Sequence, residues 1–247
     1  MKAKRDFLKA YGWDERARTG TDMTRQVAQP LSQKPVPEDV TLIDLVSPKD
    51  LTSGSTPLIE TIRKRKSRRK FSADPLTLEE LSFLLWSTQG VREPDKPENL
   101  SRRTVPSAGG RHPFETYLVV NKVSGIEAGI YRYLPLEHKI YLHKKDPALP
   151  SSVSEASRGQ VFVGQGAVVF IWTTIPYRAE WRFSLVAHKM IAIDVGHVCQ
   201  NLYLSAESIG AGCCAIAAYD QEKMDELLGV DGYDEFAIYA APVGKIS

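Results

Sequence analysis

The feature that most constrains this chain is the run Ala167–Thr174 (Ala-Val-Val-Phe-Ile-Trp-Thr-Thr), almost unbroken in apolar and β-branched residues. It falls far short of the ~20 apolar residues that a bilayer span requires. Its length and its β-formers instead predict a central strand, and a central strand needs partners on both sides.

The partners are legible. Thr116–Asn121 (Thr-Tyr-Leu-Val-Val-Asn) reads as a strand. Ile130–Leu134 and Lys139–His143 flank a Pro135–His138 turn and read as a hairpin. Phe236–Ala241 reads as the last strand, leading into Pro242-Val243-Gly244-Lys245. Helices lie between them. Thr56-Pro57 predicts a helix start, with Thr56 as N-cap and proline at the first helical position, and that helix runs to near Ser67. Thr77-Leu78-Glu79-Glu80 is a capping box bracketed by a Leu76/Leu81 staple, with Leu78, Leu81, Leu84 and Leu85 along one face. A long helix is expected from Ser184 to Ile209, closed by Gly210, with Val195, Val198, Cys199, Leu202 and Ile209 on its apolar side. Asp220 caps a shorter helix that ends at Gly229. Strands and helices mix without regular βαβ alternation, so the expected class is α+β. Residues 1–50 are polar, proline-bearing and weakly periodic. They read as an N-terminal extension that either wraps another surface or stays partly mobile, ahead of one domain over 51–247.

A net charge of +2 exerts no general pull on nucleic acid or anionic membrane, so any cationic function must be local. The start Met1-Lys2-Ala3-Lys4-Arg5-Asp6 precedes no apolar core and does not read as a secretory signal. Three cysteines, Cys199, Cys213 and Cys214, make no disulfide framework, and a reducing, cytoplasmic setting is expected. Gly164-Gln165-Gly166 lacks a third glycine and leads into a strand, which argues against a Rossmann dinucleotide site. Walker, His-Glu-x-x-His and Cys-x-x-Cys patterns are absent, so no metal site is expected.

The sharpest chemical feature is Arg63-Lys64-Arg65-Lys66-Ser67-Arg68-Arg69-Lys70, seven cations in eight positions. It could be a solvated helix end favoured by the dipole, a nucleic-acid patch, or a phosphate clamp of guanidinium and hydroxyl donors. Interleaved aromatics are missing, which weighs against nucleic acid. Two small-residue segments favour the clamp. Pro106-Ser107-Ala108-Gly109-Gly110-Arg111-His112-Pro113 precedes a strand and could approach a flat ring closely. Ile209-Gly210-Ala211-Gly212 joins the long helix to a strand and leaves an amide without side-chain cover.

In this order the segments resemble the nitroreductase superfamily. Arg65, Ser67, Arg69 and Phe71 match its Arg-x-Ser-x-Arg-x-Phe stretch, and Pro106, Ser107 and Gly109 match its Pro-Ser-x-Gly loop. Asp194, Gly196, Gln200, Asn201, Leu202, Glu207, Ser208, Gly210 and Gly212 match the long-helix motif, with Lys245 after the last Pro-Val-Gly. The match spans Thr56 to Lys245. Leu85-Trp86-Ser87-Thr88-Gln89-Gly90 and Gly110-Arg111-His112-Pro113 bring it nearest the azoline-dehydrogenase branch, while Cys213-Cys214 departs from the usual pattern.

The resemblance implies a central, mainly antiparallel sheet flanked by helices, and a homodimer with a long interface helix and FMN between the subunits. FMN would be bound by Arg65, Lys66, Ser67, Arg69, Pro106, Ser107, Ala108, Gly109, Arg111, Ile209, Gly210, Ala211, Gly212 and Lys245. NAD(P)H is the implied reductant and a small molecule the substrate, with no nucleic-acid or membrane partner. No residue is implied as acid or base; Tyr177, Lys189 and Tyr203 read as structural.

Overall fold

The fold was obtained as a computed structural model that describes residues 5–10, 12–92 and 102–246; residues 1–4 and 11 of the expected extension lie outside them. In chain order the elements are α1 (Gly12–Thr19), β1 (Leu42–Asp44), α2 (Leu58–Lys64), α3 (Leu78–Gln89), β2 (Phe114–Val120), β3 (Gly129–Leu134) and β4 (Lys139–Lys144). They continue with α4 (Leu149–Ala156), α5 (Val161–Gln165), β5 (Val168–Thr174), α6 (Tyr177–Phe183), α7 (Ala187–Ser208), β6 (Ala211–Cys213), α8 (Gln221–Leu228) and β7 (Phe236–Lys245).

The strands form one sheet in the order β1-β4-β3-β2-β5-β7-β6, antiparallel at every pairing of named strands. The apolar run that predicted a central strand is β5, paired with β2 on one side and β7 on the other. Because side chains alternate along a strand, β5 sends Val168, Phe170 and Trp172 to one core and Val169 and Ile171 to a second. The first core is closed by α3, through Leu81, Leu84 and Leu85, and by α7, through Ile191, Val195, Val198, Cys199 and Leu202. The second is closed by Leu149 and Val153 of α4, Val163 of α5 and Met224, Leu227 and Leu228 of α8. No helix among the described residues is long and apolar enough to cross a membrane.

Local chemistry sets several boundaries as expected. Thr77 Oγ1 accepts from the Glu80 amide at 3.1 Å while the Glu80 carboxylate accepts from the Thr77 amide at 2.9 Å, a complete capping box. Asp220 caps α8 through the Lys223 amide at 3.2 Å, and Gly229 ends it at φ +69°. Gly210 follows α7 at φ +68°, a conformation that glycine adopts without penalty.

Four boundaries differ from the sequence reading. Thr56 does not cap α2: Pro57 holds that position and Thr56 Oγ1 donates to the Ser208 carbonyl at 2.9 Å. The helix stops at Lys64 instead of near Ser67, because Ser67 pairs with Cys213 as a parallel bridge and that pairing demands extended backbone. The long helix expected from Ser184 begins at Ala187, since Ser184 turns to φ +50° and sets α6 at a corner, and Ser184–Val186 make one tight turn before α7. β7 continues through Pro242, whose carbonyl accepts from the Cys214 amide at 3.3 Å, so the missing N–H leaves the ladder intact.

The described part of residues 5–50 lies on the rest of the chain. β1 pairs with β4 at the sheet edge. The Met23 amide donates to Trp181 O, and the Trp181 indole donates back to Val27 O, each at 2.9 Å. The Lys34 amide reaches the buried Glu115 carboxylate at 2.8 Å. Glu115 also accepts from Arg178 Nη2 at 2.6 Å and lies 3.7 Å from Arg132 Nε.

His112 is buried behind the Pro106–Gly109 loop. Burial, aided by the nearby charges of Arg103, Arg111 and Arg92, pushes its imidazole down to about 2. The folded chain therefore keeps His112 neutral while the unfolded chain protonates below about pH 6.5. The stabilisation this represents is complete above the unfolded value and is lost as pH falls below it, by at most about 1.4 kcal/mol per pH unit. Urea midpoints at pH 7.5 and 5.5 test this. His112→Asn, which tolerates the φ of +44° at this position, should show a smaller loss between the two pH values than the parent. Equal losses would show that His112 is not held neutral.

Candidate functional site

The basic segment owes its shape to α7 and β6. After Arg65 leaves helical geometry, the Arg68 amide donates to Cys213 O at 2.9 Å, tying the segment to the edge of β6. Tyr203 of α7 supports it from below. Its hydroxyl lies 3.0 Å from Ser67 Oγ, accepts from the Ala215 amide at 2.8 Å, and its ring carries the Arg65 guanidinium 5.4 Å from the centroid. Burial, first, raises the Tyr203 hydroxyl above its ordinary range, so it stays protonated as a hydrogen-bonding strut.

The cations then sort into two groups. Arg68 turns inward to Glu207 at 3.1 Å, Lys64 takes Glu60 at 3.2 Å, and Lys245 is paired with Glu80 and donates to Ile209 O at 3.2 Å. Arg63, Arg65, Lys66, Arg69 and Lys70 have no carboxylate partner among the described residues; Arg63 is still within α2, and Arg69 rests over the Phe162 ring at 5.7 Å. Beside them the Ser67 side chain is exposed. Arg65, Lys66 and Arg69, with the Ser67 hydroxyl between them on one extended segment, form the kind of donor set that a phosphate dianion takes. The residues present therefore fit the phosphate of a mononucleotide.

Ala211 and Gly212 lie inside β6, paired with Lys245 and Gly244, and both are buried. A Cβ on Gly212 would come within 2.8 Å of Arg68 Cβ, so glycine is what lets the basic segment lie close to the strand. The three thiols gather here too. Burial raises Cys213 and Cys214 and pushes Cys199 up to about 12, so they are protonated packing groups and not nucleophiles.

The second small-residue loop is held by a different part of α7. Asp194 Oδ2 accepts from Ser107 Oγ at 2.7 Å and from the Ala108 amide at 2.9 Å. Ser107 Oγ in turn accepts from the His112 amide at 2.9 Å. Burial raises the Asp194 carboxyl, and the two hydrogen bonds oppose that rise. Gly109 adopts φ +57°, and Pro106, Gly109 and Gly110 are exposed, leaving an open and nearly side-chain-free surface. Arg111 points inward, donating from Nε to Arg178 O at 3.0 Å under the Trp181 ring.

The candidate residues are thus gathered into two groups. Arg65, Lys66, Ser67, Arg69, Ile209, Gly210, Ala211, Gly212 and Lys245 collect at the C-terminal end of α7. Pro106, Ser107, Ala108, Gly109 and Arg111 collect nearer its start. Their anchors, Tyr203 and Asp194, are nine residues apart on one helix, which is about 14 Å along the axis. Sequence reading named Glu80 only as a capping residue and Glu207 only as part of a motif, missing their pairing with Lys245 and Arg68, and took Tyr203 as structural. The available signal was spacing, because Tyr203 and Glu207 stand four apart and so share the helix face that meets the basic segment.

The model of the Nitroreductase family matches residues 62–245. A protein of Methanocaldococcus jannaschii that carries the name nitroreductase is 32% identical over 188 residues, covering 76% of this chain and 90% of its own length. The trifolitoxin-processing protein TfxB of Rhizobium leguminosarum bv. trifolii is 30% identical over 184 residues, or 71% of this chain. This chain matches only 48% of TfxB, about half of its length. A Ralstonia eutropha crystal structure assigned as a nitroreductase has the same fold, with a TM-score of 0.69 at 24% identity, covering 90% of this chain and 99% of its own.

Proposed function

This chain belongs to the nitroreductase family, and we propose that it is an FMN-dependent oxidoreductase passing hydride from NAD(P)H to a nitro, quinone or related small acceptor. One observation carries the reading: Arg65, Lys66 and Arg69 stand without carboxylates beside the Ser67 hydroxyl. When bound, FMN supplies reversible hydride uptake at its ring, which makes ping-pong exchange between two substrates possible.

The chain's own residues supply binding and position. Arg65, Ser67 and Arg69 hold the phosphate, and Lys66 adds charge at its edge. Glu80 occupies Lys245, so Lys245 reaches the phosphate only by exchanging that partner. Tyr203 fixes Ser67 and Arg65, and Glu207 keeps Arg68 out of the site. The backbone of Ile209–Gly212 and the bare surface of Pro106, Ser107, Ala108 and Gly109 are the surfaces offered to the ring, with Arg111 supporting the latter loop from within.

Neither end of α7 makes a whole site by itself, and a homodimer that sets one subunit's clamp against its partner's loop would. Two exposed features support that assembly. The outer face of α7 carries Ala192, Ile193, Gly196, His197 and Gln200, with no carboxylate, lysine or arginine among them. The adjoining α2 exposes Leu58, Ile59 and Ile62. Apolar surface of this kind marks an interface.

A second reading, dehydrogenation of an azoline-type substrate, draws support from the match to TfxB, a processing protein by name. An absorbance spectrum of the purified protein, followed by NADH or NADPH without oxygen, separates the cases. A flavin spectrum that bleaches is the expected result. A bound flavin indifferent to both nicotinamides would favour the dehydrogenase or a flavin carrier. No flavin even after reconstitution with FMN would overturn the proposal.

A further inference from the structure

Where α1, α6 and the Pro106–Gly109 loop meet, guanidinium groups outnumber the acids that could balance them. Arg16 reaches across to α6, donating from Nη2 to Arg182 O at 3.0 Å. The Arg182 chain lies on the loop itself, for a Cβ added at Gly109 would meet its Cδ and Nε at 2.7 Å. Arg111 and Arg178 lie behind, each only 2% exposed. Glu115 satisfies Arg178, while Glu180, the acid on α6, is taken by His188 at 2.7 Å. Arg16, Arg111 and Arg182 are left with no carboxylate among the described residues.

Three buried donors in this corner have no partner at all: Arg16 Nε, Arg111 Nη2 and Arg178 Nη1. Buried donors of this kind are rare in folded proteins and are normally met by water, an ion or a ligand. The charges also press on one another, since burial and then the charges of Arg182 and Arg178 hold Arg111 below the ordinary arginine range. Arg16 and Arg182 are only half-buried and so can be reached from solvent. Beside them Trp13 and Phe183 meet edge to face at 6.5 Å, with Arg16 5.5 Å and 5.9 Å from their centroids. A cationic pair on an aromatic wall suits a planar molecule that ends in an oxyanion.

We propose that Arg182 and Arg16 bind the oxyanion of the molecule that reacts at this site, which makes the protein selective for anionic substrates. The inference rests on the flavin-oxidoreductase reading, because it is the Pro106–Gly109 surface that places this corner beside the reacting ring. The oxyanion has two possible sources with the same chemistry, a carboxylate on the acceptor or the 2′-phosphate of NADPH.

Binding to the FMN-loaded protein distinguishes them. Calorimetric titration would compare 4-nitrobenzoate with 4-nitrobenzyl alcohol, and adenosine 2′,5′-bisphosphate with 5′-AMP, in the parent, Arg182→Gln and Arg182→Lys. Loss of charge-assisted hydrogen bonds should weaken the more highly charged member of a pair by about ten- to a hundredfold, with the lysine variant recovering part of it. The other member of that pair should change less than about twofold. An effect confined to nitrobenzoate identifies an acceptor carboxylate, and one confined to the bisphosphate identifies the nucleotide. An effect in both pairs identifies a cleft shared by the two half-reactions. If neither pair responds in Arg182→Gln, nor in Arg16→Gln should the first variant fail to fold, the proposal is overturned while the flavin reading stands. If the parent holds no FMN, the flavin reading itself has failed.

Discussion

Replacing Glu115 with alanine should destabilise the protein by about 3–5 kcal/mol, the usual cost of removing one member of a buried ion pair. Glu115 is 2% exposed, and its oxygens serve Arg178 Nη2 at 2.6 Å, the Lys34 amide at 2.8 Å and, more distantly, Arg132. Without it two buried guanidinium groups lose their counter-charge, and the arm that leads to β1 loses one of its anchors on β2. Against a typical total of about 5–15 kcal/mol, that loss is roughly a fifth or more of what holds a domain folded. Glu115→Gln keeps an acceptor but not the charge and should fall between. Urea melts of the three proteins decide the matter. A midpoint for Glu115→Ala within error of the parent would mean that the arginines find other partners and that the ion pair is incidental.

The second large effect concerns the cofactor and not the fold. Arg65→Ala or Arg69→Ala should each weaken FMN binding by about ten- to a hundredfold, and the double variant by more, because each removes a charge-assisted bond of about 1.5–3 kcal/mol. Stability of the flavin-free protein should hardly move, since the segment is tied down by its backbone at Ser67 and Arg68 and not by these side chains. Lys70→Ala, exposed and outside the proposed clamp, is the control for general charge. Fluorescence titration of the flavin-free proteins reads the result. Should the double variant keep stoichiometric FMN while the control behaves alike, the basic segment is not the phosphate site.

How much of this could be read from the sequence depended on whether the decisive interaction was local. Thr77–Glu80, Asp220 and Gly229 set helix ends through bonds within one turn, and their chemistry was legible in a few letters. The run Ala167–Thr174 was equally plain, because burial on both faces leaves no polar position from Ala167 to Trp172. Thr56 and Ser67 were misplaced for the opposite reason: their partners, Ser208 and Cys213, lie more than a hundred residues away. Propensity allows a helix through Arg65–Ser67, and only the pairing with β6 forbids it. The late start of the long helix likewise comes from the corner at Ser184 between α6 and α7, which no local pattern announces. Of the candidate site, the donors themselves were visible as a charge run. Which of them remain free was not, because Glu207, which takes Arg68, arrives from another element, as does Glu80, which takes Lys245.

The two margins of the sheet are finished by segments that are not strands of any length. On one side the three residues of β1 cover β4; on the other, Ser67 and Arg68 cover β6. Uncovered strand margins invite pairing with neighbouring molecules and hence aggregation. The segment proposed to grip a phosphate is therefore also the cover of one margin, fastened there by few backbone bonds. Any ligand that steadies it lowers the chance of that margin opening, by simple mass action. Solubility and cofactor occupancy would then be linked, with the flavin-free protein the form more prone to stick to itself.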